Sequence, residues 1–307
     1  MKKLLAVVGP TAVGKSDFAV EASRKFDGEV INADSRQIYR HLDIGTGKPT
    51  LDERHSVPHH LFDFVDPDEN YSLVLFLKQA RAAISDVHAR NGLPVLVGGT
   101  GQYVWALLEG WQVPEVFPDP ETRQLLEDRA VSLGPDALHA ELATLDPGAA
   151  KNIDARNVRR VVRALEVAYS GLDRRGPVRK SPPPYDVLIV GLTLERAALY
   201  DRIDTRVDAM MEAGWPSEVE ALLARGYGPE LSSMSSVGYA ELARLLQGEL
   251  SLDEAVQKIK YRTHRFARSQ YAWFRPDDGR INWFDVADGT DMVLNHVRQW
   301  AGRAPWE

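Results

Sequence analysis

Gly9-Pro10-Thr11-Ala12-Val13-Gly14-Lys15-Ser16 has the plainest chemistry in this sequence, because it matches G-x-x-x-x-G-K-S/T. The glycines let backbone N–H groups curl around phosphate oxygens, and a helix starting behind them adds partial positive charge at the same point. Lys15 brings a point charge to the terminal phosphates, and the Ser16 hydroxyl is placed to meet a magnesium ion. At average composition the pattern arises by chance in a chain this long about one time in a hundred. The eight residues Gly9 to Ser16 therefore bind phosphates, but they do not say whose. Most proteins with this loop use ATP or GTP, which favours a kinase or NTPase at this point.

The elements around the loop have the pattern of a parallel α/β sheet. Leu4 to Val8 reads as a buried strand and Lys15 to Phe26 as a helix. Val30-Ile31 reads as a short strand ending at Asn32-Ala33-Asp34, and Leu61 to Phe64 as another. Ser72 caps a helix whose apolar residues Leu73, Phe76, Leu77, Ala80, Ile84 and Val87 recur every three or four positions. Gly92-Leu93-Pro94 breaks it, the strand Val95-Leu96-Val97 runs into Gly98-Gly99-Thr100, and Gly101 to Glu109 is helical again. Near Pro114, Pro118 and Pro120 the composition changes, and the next 60 or so residues read as helices only. The loop Gly176 to Pro184 carries four prolines, after which Asp186 to Leu192 returns to strand character. The expectation is a helical insertion, residues 114–184, between core segments 1–113 and 185–307. Beyond it helices are expected over Arg196 to Ala213, Pro216 to Arg225, Gly238 to Gln247 and Leu252 to Phe274.

A second acid usually follows a later apolar strand in NTPases and holds magnesium. Here the late strand ends in Gly98-Gly99-Thr100 without one, whereas Asp34 follows the second short strand. Strand C-terminal ends in a parallel sheet open onto one crevice, so Asp34, Thr100 and the phosphate loop are expected to converge. Asp34 by itself also reads as a helix cap.

The net charge of −7 argues against nucleic acid on average, since RNA binding neutralises phosphates. Local stretches argue the other way. Lys151 to Lys180 holds nine basic residues against three acids, and Lys258 to Arg275 holds six against none. Either run alone also reads as a solvated helix face. With no cysteine there is no disulfide framework and no thiolate metal site, and His59-His60 is not spaced for a metal on one helix face. Only five apolar residues follow Met1-Lys2-Lys3, too few for a secretory signal, and no run reaches a membrane span. A soluble, cytoplasmic, monomeric protein is expected.

Several blocks in order along the chain resemble those of the tRNA dimethylallyltransferases. They are Gly9–Ser16, Asp34-Ser35-Arg36-Gln37-Ile38-Tyr39, Leu42-Asp43-Ile44-Gly45-Thr46-Gly47-Lys48-Pro49 and Pro58-His59-His60-Leu61. Val97-Gly98-Gly99-Thr100-Gly101-Gln102-Tyr103, Arg163-Ala164-Leu165-Glu166, Arg202-Ile203-Asp204-Thr205-Arg206, Val237-Gly238-Tyr239 and Trp273-Phe274-Arg275 continue the series. The resemblance implies a P-loop NTPase-like core with a helical insertion and a helical C-terminal part. It implies transfer of a dimethylallyl group from dimethylallyl diphosphate to the exocyclic amine of the adenosine 3′ of the anticodon, in tRNAs reading codons that begin with U. Magnesium is the implied cofactor, and the phosphate loop would hold the donor's diphosphate without hydrolysing ATP.

In that reading Asp34 accepts the amine proton, Lys15 and Arg206 hold the diphosphate, and Thr100 donates to the leaving oxygen. Arg206 without the resemblance reads as a solvated helix residue. The resemblance assigns tRNA contacts to Asp34, Ser35, Arg36, Gln37 and Thr100, to Arg123, to Arg159, Arg160, Val161, Val162 and Arg163, and to Ser235, Ser236, Val237, Gly238, Tyr239 and Ala240. Tyr261, Tyr271 and Trp273 read either as stacking platforms for bases or as core. The sequence departs from the family's pattern at Ala240, where a basic residue is common, in Thr263–Gln270, where the charges are shifted, and in the loop Gly171–Pro184. A small-molecule P-loop kinase, a prenyltransferase of free adenine nucleotides and a non-enzymatic RNA chaperone remain the competing readings.

Overall fold

The computed structural model describes residues 2–113, 119–170 and 179–302. Pro114 and Pro118, and most of the loop 171–184, lie outside them. The chain divides into two compact units, Met1–Gly110 with Pro182–Glu307, and Trp111–Ser181.

In the first unit β1 (Lys2–Val8) leads through the phosphate loop into α1 (Lys15–Phe26), followed by β2 (Gly28–Asn32), α2 (Leu51–Ser56), β3 (His59–His60), α3 (Leu73–Ala89), β4 (Leu93–Val97) and α4 (Gly101–Leu108). The second unit contributes α5 (Pro120–Leu133), α6 (Pro135–Leu145), α7 (Pro147–Asn152) and α8 (Val158–Tyr169). The first unit resumes with β5 (Tyr185–Thr193), α9 (Arg196–Glu212), α10 (Trp215–Ala224), α11 (Tyr239–Leu246), α12 (Leu252–Gln270), β6 (Ile281–Asp285) and α13 (Thr290–Ala301). The strands form one all-parallel sheet in the order β3-β2-β4-β1-β5-β6. Leu4 to Val8 are fully buried, as a central parallel strand covered on both faces requires. The architecture is a P-loop NTPase-like α/β fold.

Some elements differ from the sequence expectation. The strand expected over Leu61 to Phe64 lies instead at His59–His60, paired with Val30 and Ile31. Leu61 and Asp63 have φ of 64° and 62°, which no strand accommodates, and the Leu61 carbonyl accepts from Asn32 Nδ2 at 2.9 Å. Pro94 belongs to β4, because neighbour β1 pairs only from Val95 on. Helix α12 ends at Gln270 rather than Phe274, where Trp273 and Phe274 N–H both fold back on the Gln270 carbonyl. The C-terminal part is not purely helical, since β6 adds an edge strand beside β5. No described helix is long and apolar enough to cross a membrane.

The second unit starts at Trp111, three residues before the break expected at Pro114. Gln112 N–H donates to the Arg179 carbonyl at 2.9 Å, and Trp111 and Lys180 form an antiparallel bridge that ties the two ends of the insertion. Helices α6 and α7 open on proline, and the Asp146 side chain accepts from Ala149 N–H at the start of α7. The helices pack around Leu126, Leu138, Leu142, Val161, Val162 and Leu165.

Candidate active site

The phosphate loop leaves β1 at Gly9, whose φ is 141°, and an added Cβ there would lie 2.3 Å from the Leu192 carbonyl oxygen of β5. Only glycine lets the loop pass that close. Ala12, with φ of 64°, and Gly14, with φ of 98°, turn the backbone into α1. The Thr11 N–H is not directed at the loop centre. It donates to Gln270 Oε1 at 2.7 Å.

The second wall comes from the end of β2. Asn32, 1% exposed, donates to the Asp34 carbonyl and accepts from Asp34 N–H at 2.8 Å. Asp34 Oδ1 in turn accepts from Arg36 N–H at 2.9 Å, so the carboxylate is oriented within its own turn rather than capping a helix. Ala33 N–H donates to the Val97 carbonyl at 2.7 Å, crossing to the end of β4. Gly98 sits against this crossing, and a Cβ there would meet Ala33 backbone at 2.3 Å. Thr100 follows at the N-cap of α4, its Oγ1 accepting from Ser35 N–H at 2.9 Å and lying 3.2 Å from Ser35 Oγ.

These strand ends open onto a cavity of about 690 Å³ lined by Thr11, Ala12, Gly14, Lys15 and Ser16 of the loop, by Asp17, Asp34 and Gln37, and by Asp201, Arg202, Thr205, Arg206 and Ala209 of α9. Asp34, Lys15, Ser16 and Arg206 thus share one space; Thr100, expected to converge there too, is not in its lining but follows the lining residue Gly99 and bonds to Ser35, next to Asp34 in the chain. Lys15 Nζ donates to the Pro10 carbonyl at 2.7 Å. Burial pulls its pKa from 10.5 down to about 8, with Asp34 opposing the shift and Arg206 adding to it. Burial likewise lowers the Arg206 pKa, against the pull of Asp17 and Asp34. Two desolvated cations in one space favour a concentrated anion between them, even with Asp17, Asp34 and Asp201 in the same lining.

Loop 43–48 forms the rim over Arg206. Glu218 of α10 holds it, accepting from Asp43, Ile44 and Gly45 N–H with its carboxylate while the Tyr239 hydroxyl donates to the same group at 2.7 Å. Gln37 Nε2 donates to the Thr46 and Gly47 carbonyls from inside. Lys48 lines the cavity but is committed to Asp63 at 2.8 Å, to Asp43 and to the Tyr39 carbonyl.

The other residues expected to touch RNA fall into two groups. Ser35 and Arg36 are half-buried near the cavity mouth, and Arg36 Nη1 donates to the Ser232 carbonyl at 2.7 Å. Ser235 is exposed, and Val237 and Ala240 are half-buried. The side chains of Tyr239 and Ser236 are buried, as is Gly238, so those residues present no side chain to a partner. In the second unit Arg159 and Arg160 are exposed on α8, while Val161 and Val162 belong to its core. The period of α8 explains the split, because two of every four residues must face inward. Arg123 and Arg163 both donate to Glu166, whose side chain is only 3% exposed, at 2.9 and 3.0 Å. Trp273 is exposed, but its carbonyl accepts from Trp105 Nε1 at 2.8 Å.

Two anchoring residues escaped the sequence reading. Gln270 is 3% exposed and bridges Thr11 N–H to the Gly99 carbonyl, the latter at 3.0 Å. Its signal was a polar residue in phase with the buried stripe Ala255, Ile259 and Ala267 of α12. Glu218 gave no signal, because its partners are backbone amides some 175 residues away.

The sequence matches the family model described as IPP transferase over residues 37–277, and that described as isopentenyl transferase over residues 2–61. It is 50% identical over 303 residues to a tRNA dimethylallyltransferase of Roseiflexus sp. (strain RS-1), covering 98% of this chain and 99% of that one. Among solved structures it is similar to a tRNA isopentenylpyrophosphate transferase from Bacillus halodurans, with a TM-score of 0.73, 39% identity and coverage of 98% and 97%. It is also similar to a eukaryotic dimethylallyltransferase acting on tRNA, with a TM-score of 0.81, 27% identity and coverage of 100% and 81%. A family model matching residues 37–277 and a likeness of 50% identity over nearly the full length place this chain in the IPP transferase family.

Proposed function

We propose that this enzyme transfers a dimethylallyl group from dimethylallyl diphosphate to the exocyclic amine of the adenosine 3′ of the anticodon, in tRNAs reading codons that begin with U. The observation that carries the reading is the single cavity in which a phosphate-binding loop, two cationic side chains and one oriented carboxylate face each other.

The loop amides, Lys15 and Arg206 hold the diphosphate and stabilise the charge it gains as the allylic C–O bond breaks. An adenine amine is a weak nucleophile because its lone pair is delocalised into the ring. Asp34, held by Arg36 N–H, accepts the amine proton through its other carboxylate oxygen as the N–C bond forms. The Thr100 hydroxyl exchanges its Ser35 partner for the leaving oxygen. Ser16 and Asp17 are hard oxygen donors beside the diphosphate position, which suits magnesium bound by one carboxylate and substrate phosphates while Asp34 stays free to act as the base. Magnesium there would neutralise charge on the departing diphosphate.

The target base leaves the anticodon stack at a cost of a few kcal/mol, and the flanking RNA must be held while it does so. Ser35, Arg36, Gln37 and Ser235 are the contacts near the cavity. The helical insertion, residues 114–184, serves as the clamp through exposed Arg159 and Arg160, with Arg123 and Arg163 set by Glu166. The protein works in the cytoplasm as a monomer.

Incubation with labelled dimethylallyl diphosphate, magnesium and bulk tRNA is expected to label the tRNA and release diphosphate. ATP turnover with no label in tRNA would overturn the reading in favour of a kinase.

A further inference from the structure

Of the six basic residues between Lys258 and Arg275, three are neutralised nearby: Lys260 by Asp208, Arg262 by Glu241 and Arg275 by Asp277. Arg268 is different. Its Nη1 donates to the Tyr200 hydroxyl at 2.9 Å, and Arg196 Nε donates to the same oxygen at 3.1 Å. Neither arginine pairs with a carboxylate among the described residues. Near Arg196 on α9, Glu195 at the N-cap accepts from Ala197 and Ala198 N–H, and Asp204 lies 2.8 Å from His264.

One phenol oxygen is thus the shared acceptor of two guanidiniums, which satisfies their geometry but leaves two positive charges together. The group is also preorganised. His264 stacks on Tyr200 with ring centroids 4.1 Å apart and 8° between planes, and the Arg196 guanidinium lies 5.4 Å from the same ring. Burial would raise the Tyr200 pKa, but the two arginines outweigh it and bring it below its ordinary value. A cavity of about 410 Å³ adjoins the cluster, and Thr193 and Tyr271, whose hydroxyls lie 2.8 Å apart, complete its polar lining.

We propose that Arg196 and Arg268 form a second phosphate-binding subsite, distinct from the phosphate loop, that takes a backbone phosphate of the RNA substrate. The proposal rests on the RNA reading above. Helix α9 connects the two places: Tyr200 lines the smaller cavity and Arg206 the larger. Six helical residues advance about 9 Å. An RNA strand running past the catalytic cavity spans such a separation and carries a phosphate at every nucleotide, and the donor KM measured below separates it from a free diphosphate.

Both arginines are exposed, so their replacement leaves the core intact. The test is a salt titration of binding to an anticodon stem-loop RNA by wild type, by the Arg196→Ala/Arg268→Ala variant and by the double lysine variant. Loss of one phosphate contact is expected to reduce the slope of log K against log salt by about 0.7. The donor KM should stay unchanged, and the lysine pair should restore the slope. An unchanged slope and affinity would sink the subsite alone, as would a raised donor KM with intact RNA binding, which would assign the pair to free diphosphate. Failure of the wild type to bind the stem-loop would remove the RNA reading and the subsite together.

Discussion

Lys15 holds a charge that the folded protein by itself does not welcome, so removing that charge is expected to stabilise the ligand-free protein. Its pKa falls from 10.5 to about 8, mainly by burial. A difference of that size corresponds to about 3 kcal/mol between the protonation states. Lys15 keeps partial contact with solvent, which discounts the figure to about 1–3 kcal/mol. Below pH 8 both folded and unfolded chains carry the proton, and the penalty is present in full. As pH rises from about 8 to 10.5 the folded protein sheds its proton before the unfolded chain does, and the penalty disappears. Lys15→Met removes this pH-dependent part. It also loses the bond to the Pro10 carbonyl, a pH-independent cost of about 1 kcal/mol. Melting curves of both proteins from pH 7 to 10.5 should show the gap between them changing by about 2–12 °C in favour of the wild type as pH rises. Inorganic diphosphate at 100 times its Kd should stabilise the wild type by about 2.7 kcal/mol and leave the variant unmoved. A gap that stays flat across that pH range would refute the claim that Lys15 is held against its own desolvation.

Gln270→Ala leaves Thr11 N–H and the Gly99 carbonyl without partners, so a stability loss of about 2–4 kcal/mol is expected in chemical unfolding. The donor KM should rise about tenfold with kcat much less affected, because a loosened cradle costs binding first; an unchanged KM would mean that the loop holds its own shape. Gly9→Ala drives a methyl to 2.3 Å from a β5 carbonyl, and a loss of at least about 3 kcal/mol should appear as a large fall in Tm. Asp34→Asn retains the acceptor for Arg36 N–H but not the base, so kcat should fall about 10²–10⁴-fold with stem-loop affinity preserved. Undiminished transfer by that variant would move the base elsewhere.

The central strands and the phosphate loop were legible because their signals are local. Five consecutive buried apolar residues before a glycine turn leave little choice of structure, and α3 announced itself by its Ser72 cap and its period. The convergence of Asp34 and Lys15 followed from the geometry of any parallel sheet. The strand expected at Leu61 failed because the decisive interaction, Asn32 Nδ2 with the Leu61 carbonyl, joins positions 29 apart in sequence. Strand β6 was missed for a similar reason: it pairs with β5 some 90 residues earlier, where Gly191, lacking a side chain, leaves room for Ile281 and Trp283. A buried glutamine and an arginine pair sharing a phenol look, in sequence, like ordinary residues of a basic helix.

The position of Gln270 also bears on how the cradle selects its anion. With the Thr11 N–H committed to a side chain, the donors left for phosphate are the amides from Ala12 onward together with Lys15 and Arg206. A cradle short of one amide but supplied with two desolvated cations suits a compact, highly charged group. It places less weight on the length of a phosphate chain than a loop with every amide free. Helix α12 therefore does more than close the fold over the sheet. By taking one donor out of the loop and fixing the Gly99 turn in the same contact, Gln270 would, in the proposed reaction, set how far the phosphate seat lies from Thr100 and where the breaking bond stands relative to Asp34.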